Sequence, residues 1–261
     1  MILIAAPRED SASVNIAERL LEQGFREVGE GFYELRGAML KFVDEDGVYI
    51  RNIDGSKFKE LIILSRHESR KEAPMLSLHA PGNLSSEALL GGNPREVALS
   101  NPRRMKSILS SLARQRNSDL GYSVCMEATH HGPTSLGVPT TFVEIGSTER
   151  EWKDEEAGRI VAKAVIDSLE AESPDPPAIG LGGDHYAYRL TDACLKRKFA
   201  LGHIITKYQL GRVDDSLIRS TLRMSAPPCK HALIDGEGMR GKVERRLSAI
   251  LEEERVEAVR I

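Results

Sequence analysis

Imidazole and carboxylate side chains fall at a recurring place in this chain. His67 follows the apolar run Lys59–Ser65, and His79 follows Met75–Leu78. Glu127, His130 and His131 sit at or past the end of Tyr122–Ala128, Glu144 ends Thr140–Ile145, and Asp184 and His185 follow Ala178–Leu181. Each run reads as a β-strand from its length and β-branched content. In an open parallel sheet, ligands bind beyond the carboxyl ends of the strands. Five strand ends are therefore expected to deliver these groups to one edge. Neutral imidazole and carboxylate are the ligands that zinc accepts in catalytic sites, where one position stays open for water. Bound zinc brings that water's pKa near 7 and polarises a carbonyl. Without a metal, the same set still supplies a general base and an orienting acid. The pattern points to a metal-binding or hydrolytic centre, although it contains no HExxH spacing. The plain alternative for each histidine is a loop residue that makes hydrogen bonds. Neighbours on extended chain point to opposite sides, so His130 and His131 are expected to play different roles. His203, in GHII, fits core or site, and His231 reads as structural.

Other motifs carry less. Gly180-x-Gly182-Gly183 after a strand resembles a phosphate-cradling turn, but the Rossmann spacing is absent. Ser135 in PTSLG is not a GxSxG nucleophile. Cys125, Cys194 and Cys229 are far apart and form no CxxC pair. Neither a disulfide framework nor a thiolate zinc site is expected, and a reducing cytoplasm fits. With 36 basic and 39 acidic groups the formal net charge is −3, which excludes a globally basic nucleic-acid binder. Local patches remain. Arg95, Arg103, Arg104 and Lys106 precede or open one helix, which Arg114 and Arg116 close; Arg240, Lys242, Arg245 and Arg246 stud the last. Each patch could hold phosphates or be a solvated face. The apolar share of 41% suits a packed core rather than disorder. Met1–Ala6 is too short for a signal sequence, and no stretch reaches the roughly 18 apolar residues of a membrane span. A soluble cytoplasmic protein is expected, with a monomer as the default.

The elements that must position these groups alternate. Strands are expected at Met1–Ala6, across 32–51 as a hairpin turning at Glu45-Asp46-Gly47, and at the runs above, with further strands at Phe199–Ile205 and His231–Ile234. Helices are expected from Asp10 to Gly24, briefly at Glu87–Leu90, from Pro102, over Asp154–Leu169, Thr191–Lys198 and Val213–Leu222, and over Met239–Glu254. Alternation argues an α/β fold with a mixed, largely parallel sheet flanked by helices. The chain reads as one domain over 1–261, with a smaller α+β subdomain inserted at about 30–100.

Six segments carry a family resemblance. They are SRHES at 65–69, LHAPGN at 78–83, MEATHHGPTS at 126–135, FVEIGSTEREW at 142–152, GGDHYAYR at 182–189 and GHIITKYQL at 202–210. Together they resemble the archaeal and plant type of D-aminoacyl-tRNA deacylase, from the first strand to about residue 235. Asp184 and Tyr188 depart from the family's run. The resemblance implies hydrolysis of the ester between a D-amino acid and the tRNA 3′ end, a zinc cofactor, and a phosphorylase/hydrolase-like α/β fold. It implies a metal held by some of His79, Glu127, His130, His185 and Glu144. His67 or His131 would act as base or oxyanion donor, with Thr129 and Asn83 donating hydrogen bonds to substrate. Arg103, Arg104 and Arg189 would receive terminal phosphates. A peptidase or amidohydrolase using the same ligands, or a protein that binds tRNA ends without chemistry, are the rival readings.

Overall fold

The computed structural model describes residues 1–70, 72–116, 121–239 and 241–261; Arg240 of the last basic patch lies outside them. The elements in chain order are β1 (Ile2–Pro7), α1 (Ser11–Glu22), β2 (Arg26–Gly29), β3 (Phe32–Leu35), β4 (Ala38–Val43), β5 (Glu60–Glu68), β6 (Met75–His79), β7 (Gly82–Asn83), β8 (Glu96–Val97), α2 (Pro102–Gln115), β9 (Ser123–Met126), β10 (Thr140–Ser147), α3 (Glu149–Trp152), α4 (Glu155–Glu170), β11 (Pro177–Gly182), α5 (Tyr188–Lys196), β12 (Ala200–Ile205), α6 (Lys207–Leu210), α7 (Asp215–Arg223), β13 (His231–Asp235), α8 (Gly241–Glu253) and β14 (Glu257–Arg260). One sheet has the order β2-β3-β4-β1-β5-β10-β6-β9 and a second the order β12-β11-β13-β14. The second sheet is wholly parallel, and the first is mixed. The mixed, largely parallel α/β architecture is thus as expected.

Local chemistry explains the boundaries. Asp10 caps α1 by accepting from Ser13 N at 2.9 Å, and its second carboxylate oxygen accepts from Arg66 N at 2.8 Å, tying the helix start to β5. Asn101 caps α2 with Pro102 at its first position, and Met105, Ile108, Leu109 and Leu112 face inward. Asp154 caps α4. The hairpin turns differ from expectation. Arg36-Gly37 and Glu30-Gly31, all at positive φ, make the reversals between β3 and β4 and between β2 and β3. Asp46 instead caps a 3₁₀ turn at Gly47–Tyr49. No helix forms at 87–90. The segment 30–100 does not stand apart, because β3, β4, β5 and β6 are strands of the large sheet.

The large sheet has two unlike faces. Ile4, Ala6, Ile62, Leu64, Val143 and Ile145 belong to the main core with α1, α2 and α4. The opposite face begins apolar, with Leu3, Ala5, Leu61, Ile63 and Phe142 in a separate cluster. It then turns polar. Register places Ser65 beside Glu144, His67 beside Gly146, Ser77 opposite Glu144 and His79 opposite Phe142. β6 runs antiparallel to β10. The carboxyl ends of β5 and β6 therefore point in opposite directions, and the expected single edge of strand ends does not exist. The functional side chains converge on one face instead. Among the described residues no helix is long and apolar enough to cross a membrane.

The amino-terminal end of β5 carries a buried ion pair. Arg104 Nε lies 3.3 Å from Glu60, Nη2 lies 3.0 Å from Glu172, and Nη1 donates to the Ser168 carbonyl. Glu60 and His67 are seven residues apart on one strand, roughly 23 Å. Arg104 is thus a tie between α2, α4 and the sheet, buried far from the histidines, and not a receiver of phosphate. Arg103, in the same helical turn, is half-buried at that end. Burial pushes the Glu60 carboxyl up, against the pull of Arg104. Arg104→Ala strands this carboxylate, and we expect a loss of about 3–5 kcal/mol by denaturant unfolding. The loss shrinks as pH falls from 8 to 5, because the raised folded-state pKa lets native Glu60 take up a proton before the unfolded chain does.

Candidate active site

Five of the seven histidines meet two carboxylates on the polar sheet face. Glu127, just past β9, is buried. Its Oε2 accepts from His185 Nε2 at 2.9 Å, and its Oε1 lies 3.2 Å from His67 Nδ1. Glu144 of β10 is equally buried, 3.6 Å from His67 Nδ1 and 3.5 Å from His79 Nε2. Burial pushes both carboxyls up, but their histidine partners outweigh it. Glu127 is held well below the usual carboxylate range by His185 and His67, and Glu144 is lowered by His67 and His79.

His67 is the counter-charge. Trp152 Nε1 donates to its carbonyl at 2.9 Å, and Gly146 alongside leaves no room for a Cβ against the ring. Tyr186 donates its hydroxyl proton to Ser69 at 2.9 Å, so the 2.9 Å contact between Tyr186 and His67 Nε2 is a bond donated by the histidine. Its Nδ1 faces both carboxylates. Burial pulls its pKa down, yet Glu127 and Glu144 carry it up to about 11. Both ring nitrogens of His67 are engaged, Nδ1 by the two carboxylates and Nε2 by Tyr186, and the raised pKa favours the charged ring.

The other half of the site is neutral. His79 lies parallel to Phe142 with ring centroids 5.1 Å apart, and 4.2 Å from the His130 ring. His130 Nδ1 donates to the Ala128 carbonyl at 2.8 Å and His131 Nδ1 to the Gly132 carbonyl at 2.7 Å, so both Nε2 atoms keep a lone pair. Burial and neighbouring imidazoles hold His130 well below its ordinary value and His131 at about 4. The adjacent pair shares one site, against expectation, because His131 adopts φ +42°. The next residue, Gly132, packs so closely on the Gly91–Gly92 backbone that a Cβ would lie 2.3–2.4 Å from it, so the turn requires glycine there.

Remaining expected residues have other partners. Thr129 is buried, bonded to His203 Nδ1 at 3.0 Å while accepting from Ile204 N at 3.1 Å. His203 Nε2 donates to the Ala98 carbonyl at 2.9 Å. His203 is held by backbone and by Thr129, and the Thr129 hydroxyl proton is spent on His203, so it is not free to donate to substrate. Asn83 spends its amide on the Gly91 and Asn93 carbonyls. It lines a cavity of about 460 Å³ together with His130, His131, Arg95 and Arg212. Arg189 lies 3.6 Å from Asp235, pairs with Glu237 and donates to the Ile261 carbonyl. His231 lies 3.8 Å from Glu257, away from the centre. Tyr186, Ser69, Trp152 and Phe142 belong to the site and were not foreseen. Tyr186 sits in the GGDHYAYR run, but only the Glu127–Tyr186 bridge shows which way it faces.

Three donor sets could hold a metal ion: His79, His130 and His131; Glu127, His130 and His185; and His67, Glu127 and Glu144, with donor atoms within 4.8 Å of one another in each. The first set fits best. His79 is fully buried, and neither ring nitrogen makes a hydrogen bond; its one polar neighbour is Glu144, 3.5 Å from Nε2. A buried ring so weakly satisfied is costly unless another ligand completes it.

The model of a family described as D-aminoacyl-tRNA deacylase matches residues 54–259. The chain belongs to the D-aminoacyl-tRNA deacylase family. A Methanosarcina acetivorans protein of that name is 39% identical over 96% of this chain and 88% of its own. One from Thermococcus kodakarensis is 34% identical over the whole of both chains. One from Methanosarcina mazei is 43% identical over 74% of this chain, and the match spans 64% of its own length. A solved structure described as a conserved protein of unknown function superposes with TM-score 0.91 at 31% identity, covering 100% of this chain and 95% of that one.

The charge state of His67 is directly readable. Its raised pKa contributes stability that is complete below about pH 6.5 and fades as pH rises toward 11. We expect nitrogen NMR shifts of an imidazolium at His67 at pH 9. Glu144→Gln removes one counter-charge and lowers that titration; a neutral ring at pH 8 in the parent protein would refute the assignment.

Proposed function

We propose that this deacylase-family protein hydrolyses the ester joining a D-amino acid to the 3′-terminal ribose of tRNA, with zinc as its cofactor. The buried His79, whose ring nitrogens make no hydrogen bond, beside two neutral histidines is the observation that carries the metal half of this reading. Family membership carries the substrate half. His79, His130 and His131 would hold the zinc, each an uncharged nitrogen donor. The hydrogen bonds from His130 and His131 to backbone carbonyls fix their tautomers and aim Nε2 as ligand. Bound zinc supplies a water of pKa near 7 and polarises the ester carbonyl.

The chain's own groups do the rest. Glu127 accepts the Nε2 proton of His185, which fixes that ring's tautomer and leaves Nδ1 as a base. His185 is the more exposed histidine of the group, with 44% of its side chain open to solvent. His67 does not exchange protons in this scheme; it keeps Glu127 and Glu144 ionised in a buried setting. His131 is a ligand here rather than the base, because its Nε2 belongs to the neutral cluster at His79. Asn83 borders the cavity as a wall residue. The substrate implies work in the cytoplasm, where aminoacyl-tRNA is made and used.

Two measurements test this reading. The purified protein should release D-amino acid from D-aminoacyl-tRNA and leave the L-form largely intact. His185→Ala should lower kcat by roughly 10²–10⁴-fold. His130→Ala should lose zinc by elemental analysis after reconstitution, since His130 belongs to the set proposed as the zinc ligands and to the neighbouring set with Glu127 and His185. Full zinc retention in that variant would remove His130 as a ligand, and inertness of the zinc-loaded parent toward D-aminoacyl-tRNA would sink the substrate assignment.

A further inference from the structure

The arginines expected to meet the tRNA are elsewhere or already paired, yet a tRNA end brings several phosphates with it. A second cavity of about 700 Å³ adjoins the histidine cavity, lined by Lys207, Tyr208, Arg212, Lys242 and Arg246. Arg212 lines both cavities. The short α6 lies between them, with Gln209 on the histidine side and Lys207 and Tyr208 on the other.

The cations here divide into paired and unpaired groups. Arg246 is bound to Asp215 and to the Leu210 and Val213 carbonyls, so it is part of the wall. Arg95, on the histidine side, pairs with Asp214, and Lys207 lies 3.1 Å from Asp184. Arg212 and Lys242 are exposed and have no carboxylate partner among the described residues. Tyr208 is 64% exposed, with Lys207 Nζ 5.2 Å from its ring centroid. A large exposed ring beside free cations is the combination that binds single-stranded nucleic acid: cations meet the phosphates, and a base stacks on the aromatic face.

We propose that the unpaired 3′ strand of tRNA leaves the histidine cavity past Arg212 and enters this second cavity, where Arg212 and Lys242 meet successive phosphates and Tyr208 stacks against a base. This rests on the proposed deacylase reading and adds to it the route of the nucleic acid. The distance between the cavities is bridged by Arg212 itself. The 3′ end must thread in from this side because the aminoacyl ester, its last chemical group, has to reach the histidines.

The test compares full D-aminoacyl-tRNA with 3′-O-D-aminoacyl-adenosine, which has the ester and one nucleoside but no phosphate. In Arg212→Ala/Lys242→Ala, the ratio of kcat/KM for tRNA to that for the adenosine ester should fall about tenfold through KM. The salt dependence of uncharged tRNA binding should flatten by about 1.4 in log Kd per log salt, for two single-strand phosphates. Tyr208→Ala should weaken uncharged tRNA binding about tenfold, and Tyr208→Phe should restore it. Lys163→Ala, on the helical side of the large sheet, should change none of these. An unchanged ratio with an unchanged salt slope would overturn the route. If the parent hydrolyses neither ester, the deacylase reading fails, and the binding measurements still decide whether this surface takes the RNA strand.

Discussion

Two carboxylates buried on one sheet face impose the central constraint. Glu127 and Glu144 are almost wholly removed from water, and each ion so buried costs several kcal/mol unless paired. His67 meets both. That requirement reaches outward through the fold. β5 must run past the level of Ser65 so that its eighth residue stands over β10. Gly146 must be bare to admit the ring. Trp152 must hold the His67 carbonyl, and the 183–187 segment must bring Tyr186 and His185 against the other side. Elements from both sheets are thus registered by one charge balance.

The site is electrically divided as a result. On one side sit an imidazolium and two carboxylates, locked together. On the other, His79 and His131 pack against Phe142, and His130 and His131 are held uncharged. Adjacent imidazolium ions would repel one another, and burial adds to the cost, so His130 and His131 stay uncharged far below neutral pH. A metal cation suits the neutral side because donors there need no deprotonation, and nearby carboxylates supply the compensating negative field. The division explains how chemically identical side chains, a few ångströms apart, take up opposite protonation states.

Much of this was legible in the chain and some was not. The residue types of the site were readable because polar groups recur where apolar strand runs end. Their meeting place was not. A strand of given composition looks the same whether it runs parallel or antiparallel, and β6 runs against β10. His130 and His131 were expected to diverge because alternation assumes extended backbone. His131 instead takes a positive φ, beside a Gly132 that packs on Gly91–Gly92, about forty residues away in sequence. Arg104 looked like a phosphate receiver beside Arg103, since local sequence cannot show that Glu60 and Glu172 come to it. The strong helices, α2 and α4, were plain from caps and apolar period, whereas β14 and the short strands carry too little pattern to stand out.

The net charge of −3 needs reading in the same spatial way. Many cations among the described residues are consumed by carboxylates: Arg19, Arg104, Arg159, Arg189, Arg219 and Arg223 each have at least one acidic partner. Pairing makes such groups poor ligands for a polyanion, because a phosphate must first displace a neighbour already in place. Overall charge therefore says little about affinity for RNA. What matters is where a cation stands without a carboxylate beside an opening that leads to reactive groups. Arg212 meets that description where the two cavities meet, and its value as a phosphate contact comes from the pairing of the nearby Asp214 and Asp215 with Arg95 and Arg246 rather than from any excess of basic residues in the chain.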